Sequence, residues 1–261
     1  MLSLLGAGLA YLVATVLVVG RLFHPQGPSR PVVALIASVA IFAHGIVLKQ
    51  QIVTPTGQDF SIPNVLSLAG WFIGFGYTAM LLRLKVIVLA PVIYGLSLLS
   101  LILQVVIPSD YILQLSDNPW MLGHISLSLI AFATLMIASL YAIQLWMIRQ
   151  KLKNKSGILS PSLPPLLTVE KQLYTLLTVG TLLLGLTLGT GLVFIEDMFT
   201  GGNGHKFLLT LFSLGIYSRL LWLHQNQGVT IKSAVAHTLI ASFLLFLAYF
   251  GARFVKEFIL V

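Results

Sequence analysis

Six histidines are the side chains of this sequence best suited to chemistry, because imidazole ligates metals, carries protons near neutral pH and is costly to bury charged in a membrane. They are His24, His44, His124, His205, His224 and His237. His44 falls in the final turns of an apolar run from about Val32 to Leu48, and His124 lies near the start of another, from Pro119 to Ile148. If the basic loops face the cytoplasm, both residues sit in outer turns at similar depth, where two imidazoles can approach a common iron. The competing reading for each is a hydrogen bond to a backbone or hydroxyl group without metal. A ligating imidazole needs its other N–H held, and the hydroxyls of Ser126 and Tyr94 are the expected acceptors.

The other four histidines read as less demanding. His24 and His224 fall in or beside inner loops and are expected to be solvated. His205, next to Asn203 and Lys206 in a glycine-rich turn, is expected to cap the helix that follows, with an outer-face ligand as the alternative. His237 lies about one turn inside the last apolar run and is expected to bond a backbone carbonyl. Arg219, near the inner end of its run, is expected to snorkel to the headgroups, although it could bind an acidic propionate. Trp71, Trp120, Trp146 and Trp222 read as an interfacial belt.

Several chemistries have no residues to stand on. There is no G-x-S-x-G elbow, HExxH helix or phosphate-cradling GxxxxGK loop. No cysteine is present, which removes disulfides, thiol relays and self-attached haem through CxxCH, so any redox role needs a bound cofactor. No acidic residue lies deep within an apolar run; only Glu196 and Asp197 abut one, which argues against a cation-coupled transporter. No catalytic residue is assigned.

The elements that must position these side chains are membrane helices. With 57% hydrophobic and only 8% charged residues among 261, the chain cannot present an ordinary soluble surface, which is about one quarter charged. The expected fold is an all-α integral membrane bundle, residues 1–261 forming a single transmembrane domain. Eight spans are expected, at about 2–19, 32–48, 64–82, 86–107, 119–148, 172–195, 207–223 and 233–254. The opening MLSLLGAGLAYLVATVLVVG lacks a basic n-region and reads as a first span rather than a cleaved signal peptide. The net charge of +8 resides in short loops, so it sets orientation and does not read as a nucleic-acid surface. Eleven basic residues fall on one side and four on the other, which predicts both termini outside and the Arg149–Lys171 loop inside. That loop, with Pro161, Pro164 and Pro165, is expected to be a flexible linker. The acidic loop holding Asp110 and Asp117 is expected outside. Gly70 with Gly74, and Gly185 with Gly189 and Gly191, are spaced for close helix contact.

Three stretches carry a resemblance: MLGHISLSLIAFATLMIASLYAIQL from Met121, GGNGHKFLLTLFSLGIYSRLLWLH from Gly201, and AYFGARFV from Ala248. Their half of the chain resembles the cytochrome c assembly family of haem-handling membrane proteins, of the CcsA and CcmC type. The whole chain is similar to its small bacterial branch, the YpjD-like inner membrane proteins. The resemblance implies a bacterial inner membrane location and haem as cofactor. It offers His124 as the external histidine before the haem-handling loop, His44 as the early membrane histidine and His224 as the one after the loop. Departures are visible: no tryptophan lies between Gly191 and Lys206, and no histidine follows His237. The resemblance therefore implies haem binding or transfer in cytochrome c biogenesis, with haem lyase activity resting on family likeness alone. The alternative is an accessory or scaffold protein that keeps the fold without haem and acts on another membrane protein. The partners expected are the lipid bilayer, haem and a second membrane protein.

Overall fold

A computed structural model describes residues 2–83, 87–107, 111–114, 119–154, 164–194, 204–251 and 254. Among them, eight helices are long and apolar enough to cross a membrane. The chain divides into two units, the first formed by residues 1–114 with 156–165 and the second by 115–155 with 166–261.

In the first unit, α1 (Leu2–Arg21), α2 (Arg30–Ile52), α3 (Ile62–Arg83) and α4 (Ala90–Val106) pack as consecutive neighbours, and α1 closes on α4. Proline near the N-termini of α2 and α4 starts each helix where a missing N–H has no consequence. The α3–α4 contact is set by small residues, as the glycine spacing predicts. Ser97 Oγ donates to the Gly70 carbonyl at 3.0 Å, and a Cβ on Gly70 would collide with Ser100. A Cβ on Gly74 would stand 3.1 Å from Ser97 Oγ.

The segment between α2 and α3 is more ordered than a plain loop. β1 (Val53–Thr54), β2 (Gly57–Asp59) and β3 (Ile112–Leu113) form a small antiparallel sheet, an addition to the all-helical expectation. Gly57, at φ 145°, permits the tight hairpin, and a Cβ there would lie 2.7 Å from the Leu113 carbonyl oxygen. Asp59 ties the sheet to α3 by accepting from the Ser61 and Tyr111 amides at 2.9 and 3.0 Å.

In the second unit, α5 (Pro119–Lys153), α6 (Leu166–Phe194), α7 (Gly204–Asn226) and α8 (Ile231–Phe246) repeat the same neighbour order, with α5 closing on α8. Thr230 caps α8 by accepting from the Ser233 amide at 3.3 Å. A π turn, Leu247–Gly251, extends α8, and its Tyr249 hydroxyl donates to the Ser128 carbonyl on α5 at 2.7 Å. Ser139 on α5 donates to its own helix at Leu135, so the Ser242 hydroxyl donates to Ser139, and Tyr217 donates to Ser242 at 2.6 Å. This relay of hydroxyls joins α5, α7 and α8.

Three expectations are corrected here. The Arg149–Lys171 stretch is not a linker throughout, because α5 continues to Lys153 and α6 begins at Leu166; residues 155–163 lie outside the described residues. Gly185 and Gly189 are not a close-contact face, since a Cβ on either meets nothing within 4 Å. The tight approach is at Gly180, where a Cβ would stand 2.6 Å from Leu135. Glycine spacing marks a stripe, but which stripe meets a neighbour depends on helix rotation. Trp71 is not interfacial: it sits mid-helix in α3 and donates to the Ile41 carbonyl of α2 at 2.8 Å. The loops holding Asp110, Asp117, Glu196 and Asp197 lie outside the described residues.

Candidate functional site

His44 is fully buried on α2, and both of its ring nitrogens are engaged. Nε2 meets Ser67 Oγ at 2.8 Å, and Nδ1 meets the Tyr11 hydroxyl at 3.2 Å. The donors can be assigned by counting protons. Ser67 has one hydroxyl hydrogen, and it goes to Gln104 Oε1 at 2.7 Å. Ser67 must therefore accept from His44 Nε2–H, which leaves Nδ1 of the neutral ring to accept from Tyr11. The chain runs on: the Gln104 amide donates to Asn64 Oδ1 at 2.9 Å, and the Asn64 amide donates to the Asp59 carbonyl at 3.1 Å. One directed series of bonds thus links α1, α2, α3 and α4 to the small sheet. The expected partner Tyr94 is not part of it, because its hydroxyl donates to Thr78 at 2.9 Å, Thr78 having given its own proton to the Gly74 carbonyl.

His124 belongs to the second unit and stands differently. It is half-buried in the second turn of α5, and its Nδ1 lies 2.9 Å from Thr190 Oγ1 near the end of α6. Thr190 donates its single hydroxyl hydrogen to the Thr187 carbonyl at 3.0 Å. Nδ1 of His124 therefore carries the proton, and Nε2 keeps its lone pair with no bond to the described residues. This is the tautomer of a metal-ligating imidazole, with the far N–H held by a neighbouring oxygen. The holder is Thr190 and not the expected Ser126. Beside it, the Trp120 and Phe194 rings stack at 5.1 Å and 7°. The residues present would let His124 hold a haem iron through Nε2, whereas His44 could ligate only by giving up Tyr11 or Ser67.

His224 is exposed in the last turn of α7, and its ring stacks on Tyr174 of α6 with centroids 3.4 Å apart. His124 and His224 thus touch α6 at Thr190 and Tyr174, sixteen residues apart, about 24 Å of helix rise. They stand at opposite ends of the unit and cannot share one iron.

The remaining histidines follow their sequence reading in part. His24 is exposed in the turn after α1 and accepts from the Gln26 amide at 3.3 Å. His237 donates Nδ1–H to the Ser233 carbonyl at 2.8 Å, the backbone bond expected of it. His205 is exposed in the first turn of α7. Among the described residues, no group of three or more histidine, cysteine or acidic side chains is placed to hold a metal ion. Sequence reading missed Ser67, Gln104 and Thr190. Polar residues inside apolar runs were the available signal, but only the packing of helices tells which hydroxyl meets which ring.

A family model described as cytochrome C assembly protein matches residues 32–260. Inner membrane protein YpjD of Escherichia coli strain K12 is 36% identical over 252 residues, which cover 96% of each chain. An uncharacterized 28.8 kDa protein in the nifR3-like 5′ region of Azospirillum brasilense is 33% identical over 144 residues, 54% of this chain and 53% of that one. No solved structure matches.

Proposed function

Because the chain belongs to the cytochrome c assembly protein family, we propose that it is a multi-pass protein of the bacterial inner membrane that binds or transfers haem in cytochrome c biogenesis. The observation that carries this reading is the fixed tautomer of His124. Thr190 holds the Nδ1–H, and the Nε2 lone pair has no partner among the described residues. Haem, when bound, supplies an iron that accepts this lone pair and a flat apolar face suited to aromatic neighbours such as Trp120 and Phe194. The protein's part is to orient the imidazole and keep its proton on the far side. His44, proposed from the sequence as the second ligand, would have to exchange its Tyr11 bond for the iron, and His224 would belong to a separate site. The basic-residue asymmetry supports an outer location for His124, with both termini outside.

A second reading is favoured by His44 itself. Its two satisfied nitrogens are what a structural histidine shows, and they fit a protein that retains the family fold without haem and acts on another membrane protein. The visible spectrum separates the two readings. Protein purified from haem-replete cells should show a Soret band that is lost in His124→Ala and kept in His24→Ala. Colourless wild-type protein would end the haem reading in favour of the second.

A further inference from the structure

An open groove of about 420 Å³ runs along the seam between α6 and α7. Tyr174 forms its floor: the residue is buried, and its hydroxyl has no hydrogen-bond partner among the described residues. His224 covers the tyrosine ring face to face. Above them stand Glu170 and Lys171, and further along α6 come the exposed Thr175 and Thr178. From Leu167 to Thr178 the α6 wall covers eleven residue steps, about 16 Å.

The place of the groove indicates what can enter it. Twenty-nine residues of α6 extend about 43 Å, more than the roughly 30 Å hydrocarbon core, so one or both ends reach the headgroup region. Glu170 and Lys171 are the only charged residues in α6 and mark the end that does so. Past them, and past the exposed Arg219 toward the same end of α7, the exposed surface of the two helices is mainly apolar, with Leu182, Leu186, Leu208 and Phe212 more than half exposed. Beside the charged end, Leu167 is 76% exposed. An occupant must therefore be amphiphilic, polar at Glu170 and Lys171 and apolar along the seam. Neither of these two charges has an ion-pair partner among the described residues. Adjacent in sequence and opposite in sign, they match a headgroup carrying both charges.

We propose that this groove binds a phospholipid with a phosphate–ammonium headgroup, phosphatidylethanolamine. Lys171 and the His224 edge face the phosphate, and Glu170 faces the ammonium. A lipid with an uncharged glycerol in place of the ammonium offers Glu170 nothing to pair with, so the carboxylate selects between lipids. The inference is independent of haem, because it involves the end of the unit opposite His124.

Native mass spectrometry of the full chain in detergent tests it, with phosphatidylethanolamine or phosphatidylglycerol of the same acyl chains. Wild type should hold phosphatidylethanolamine about tenfold more tightly than phosphatidylglycerol. Glu170→Gln should bring the two within about twofold, and Lys171→Gln should weaken both by about tenfold, a factor that corresponds to about 1.4 kcal/mol. Equal retention of the two lipids by wild type would overturn the proposal, as would a preference that both substitutions leave unchanged. Soluble phosphoethanolamine at millimolar concentration should not displace the lipid; displacement would assign the groove to a soluble ligand instead. Unchanged thermal melting of each variant shows that a lost lipid is not a lost fold.

Discussion

His44 donates its Nε2–H to Ser67 Oγ at 2.8 Å, and Ser67 hands its own proton to Gln104, so the ring on α2 is oriented by a residue on α4 that it does not touch. The consequence is that a histidine deep in the first unit is held as one link of a directed polar series. Such a series orders the four helices only while each member keeps its partner.

Removing a link should therefore be more damaging than its size suggests. His44→Ala leaves the Tyr11 hydroxyl without its acceptor and Ser67 without its donor, at about 1–3 kcal/mol for each buried group stranded. Gln104→Leu strands Ser67 and Asn64 in the same way. Thermal melting of the two single variants and the double variant should show a coupling of about 0.5–3 kcal/mol. Strict additivity would mean that the two residues stabilise the unit independently.

How much of this was legible in the sequence depends on the kind of information. The eight helices were, because an apolar run long enough to cross lipid has one satisfactory backbone solution. Span ends were less so: α6 begins at Leu166 because Glu170 and Lys171 are compatible with a helix that protrudes beyond the hydrocarbon core. His44 and His124 looked alike in sequence, each a lone imidazole near the end of an apolar run. The difference between them lies in partners on other helices, Tyr11 and Ser67 for one and Thr190 for the other, and periodicity does not encode those contacts. The same holds for the glycines. Gly70 and Gly189 share a four-residue spacing motif, yet only Gly70 meets another helix.

That contrast is testable. Gly70→Ala pushes a methyl into Ser100 and should cost about 1–3 kcal/mol, recovered in part by a compensating Ser100→Gly. Gly180→Ala should likewise destabilise through Leu135. Gly189→Ala meets open space in a helix interior and should be neutral or stabilising by up to about 1 kcal/mol. Melting temperatures in detergent check all three, and a destabilised Gly189→Ala would restore a contact at that face.

Gln144 on α5 is buried, and neither its amide oxygen nor its amide nitrogen has a hydrogen-bond partner among the described residues. An unpaired buried amide carries a desolvation cost of about 1–3 kcal/mol that an apolar side chain of similar shape does not. Gln144→Met should raise the melting temperature. A fall would reveal that the amide is paired in the working protein, through a buried water or a bound molecule.

The orientation of the helices is predicted from their basic ends. Reporter fusions should read the region after Lys153 as cytoplasmic and the C-terminal residue Val261 as external. A cytoplasmic reporter active at Val261 and silent after Lys153 would invert the bundle and place His124 on the inner side.

The last prediction concerns Thr190, because the haem reading depends on which nitrogen of His124 holds the proton. Thr190→Val keeps the shape of the side chain and removes the one oxygen bonded to Nδ1 among the described residues. The ring is then free to turn or to move its proton to Nε2, and either change weakens a bond from Nε2 to iron. Thr190→Ser restores an oxygen at the same place. If His124 ligates haem, Thr190→Val should lower haem affinity by about 10–100-fold, the range for losing a partner that orients a metal ligand, while Thr190→Ser stays near wild type. The measurement is a haem titration followed at the Soret band for wild type, Thr190→Val, Thr190→Ser and His124→Ala. Loss of the band in His124→Ala with no difference among the other three would keep His124 as ligand and remove Thr190 from its orientation. Identical titrations in all four would show that the proton on Nδ1 serves only the packing of α5 against α6.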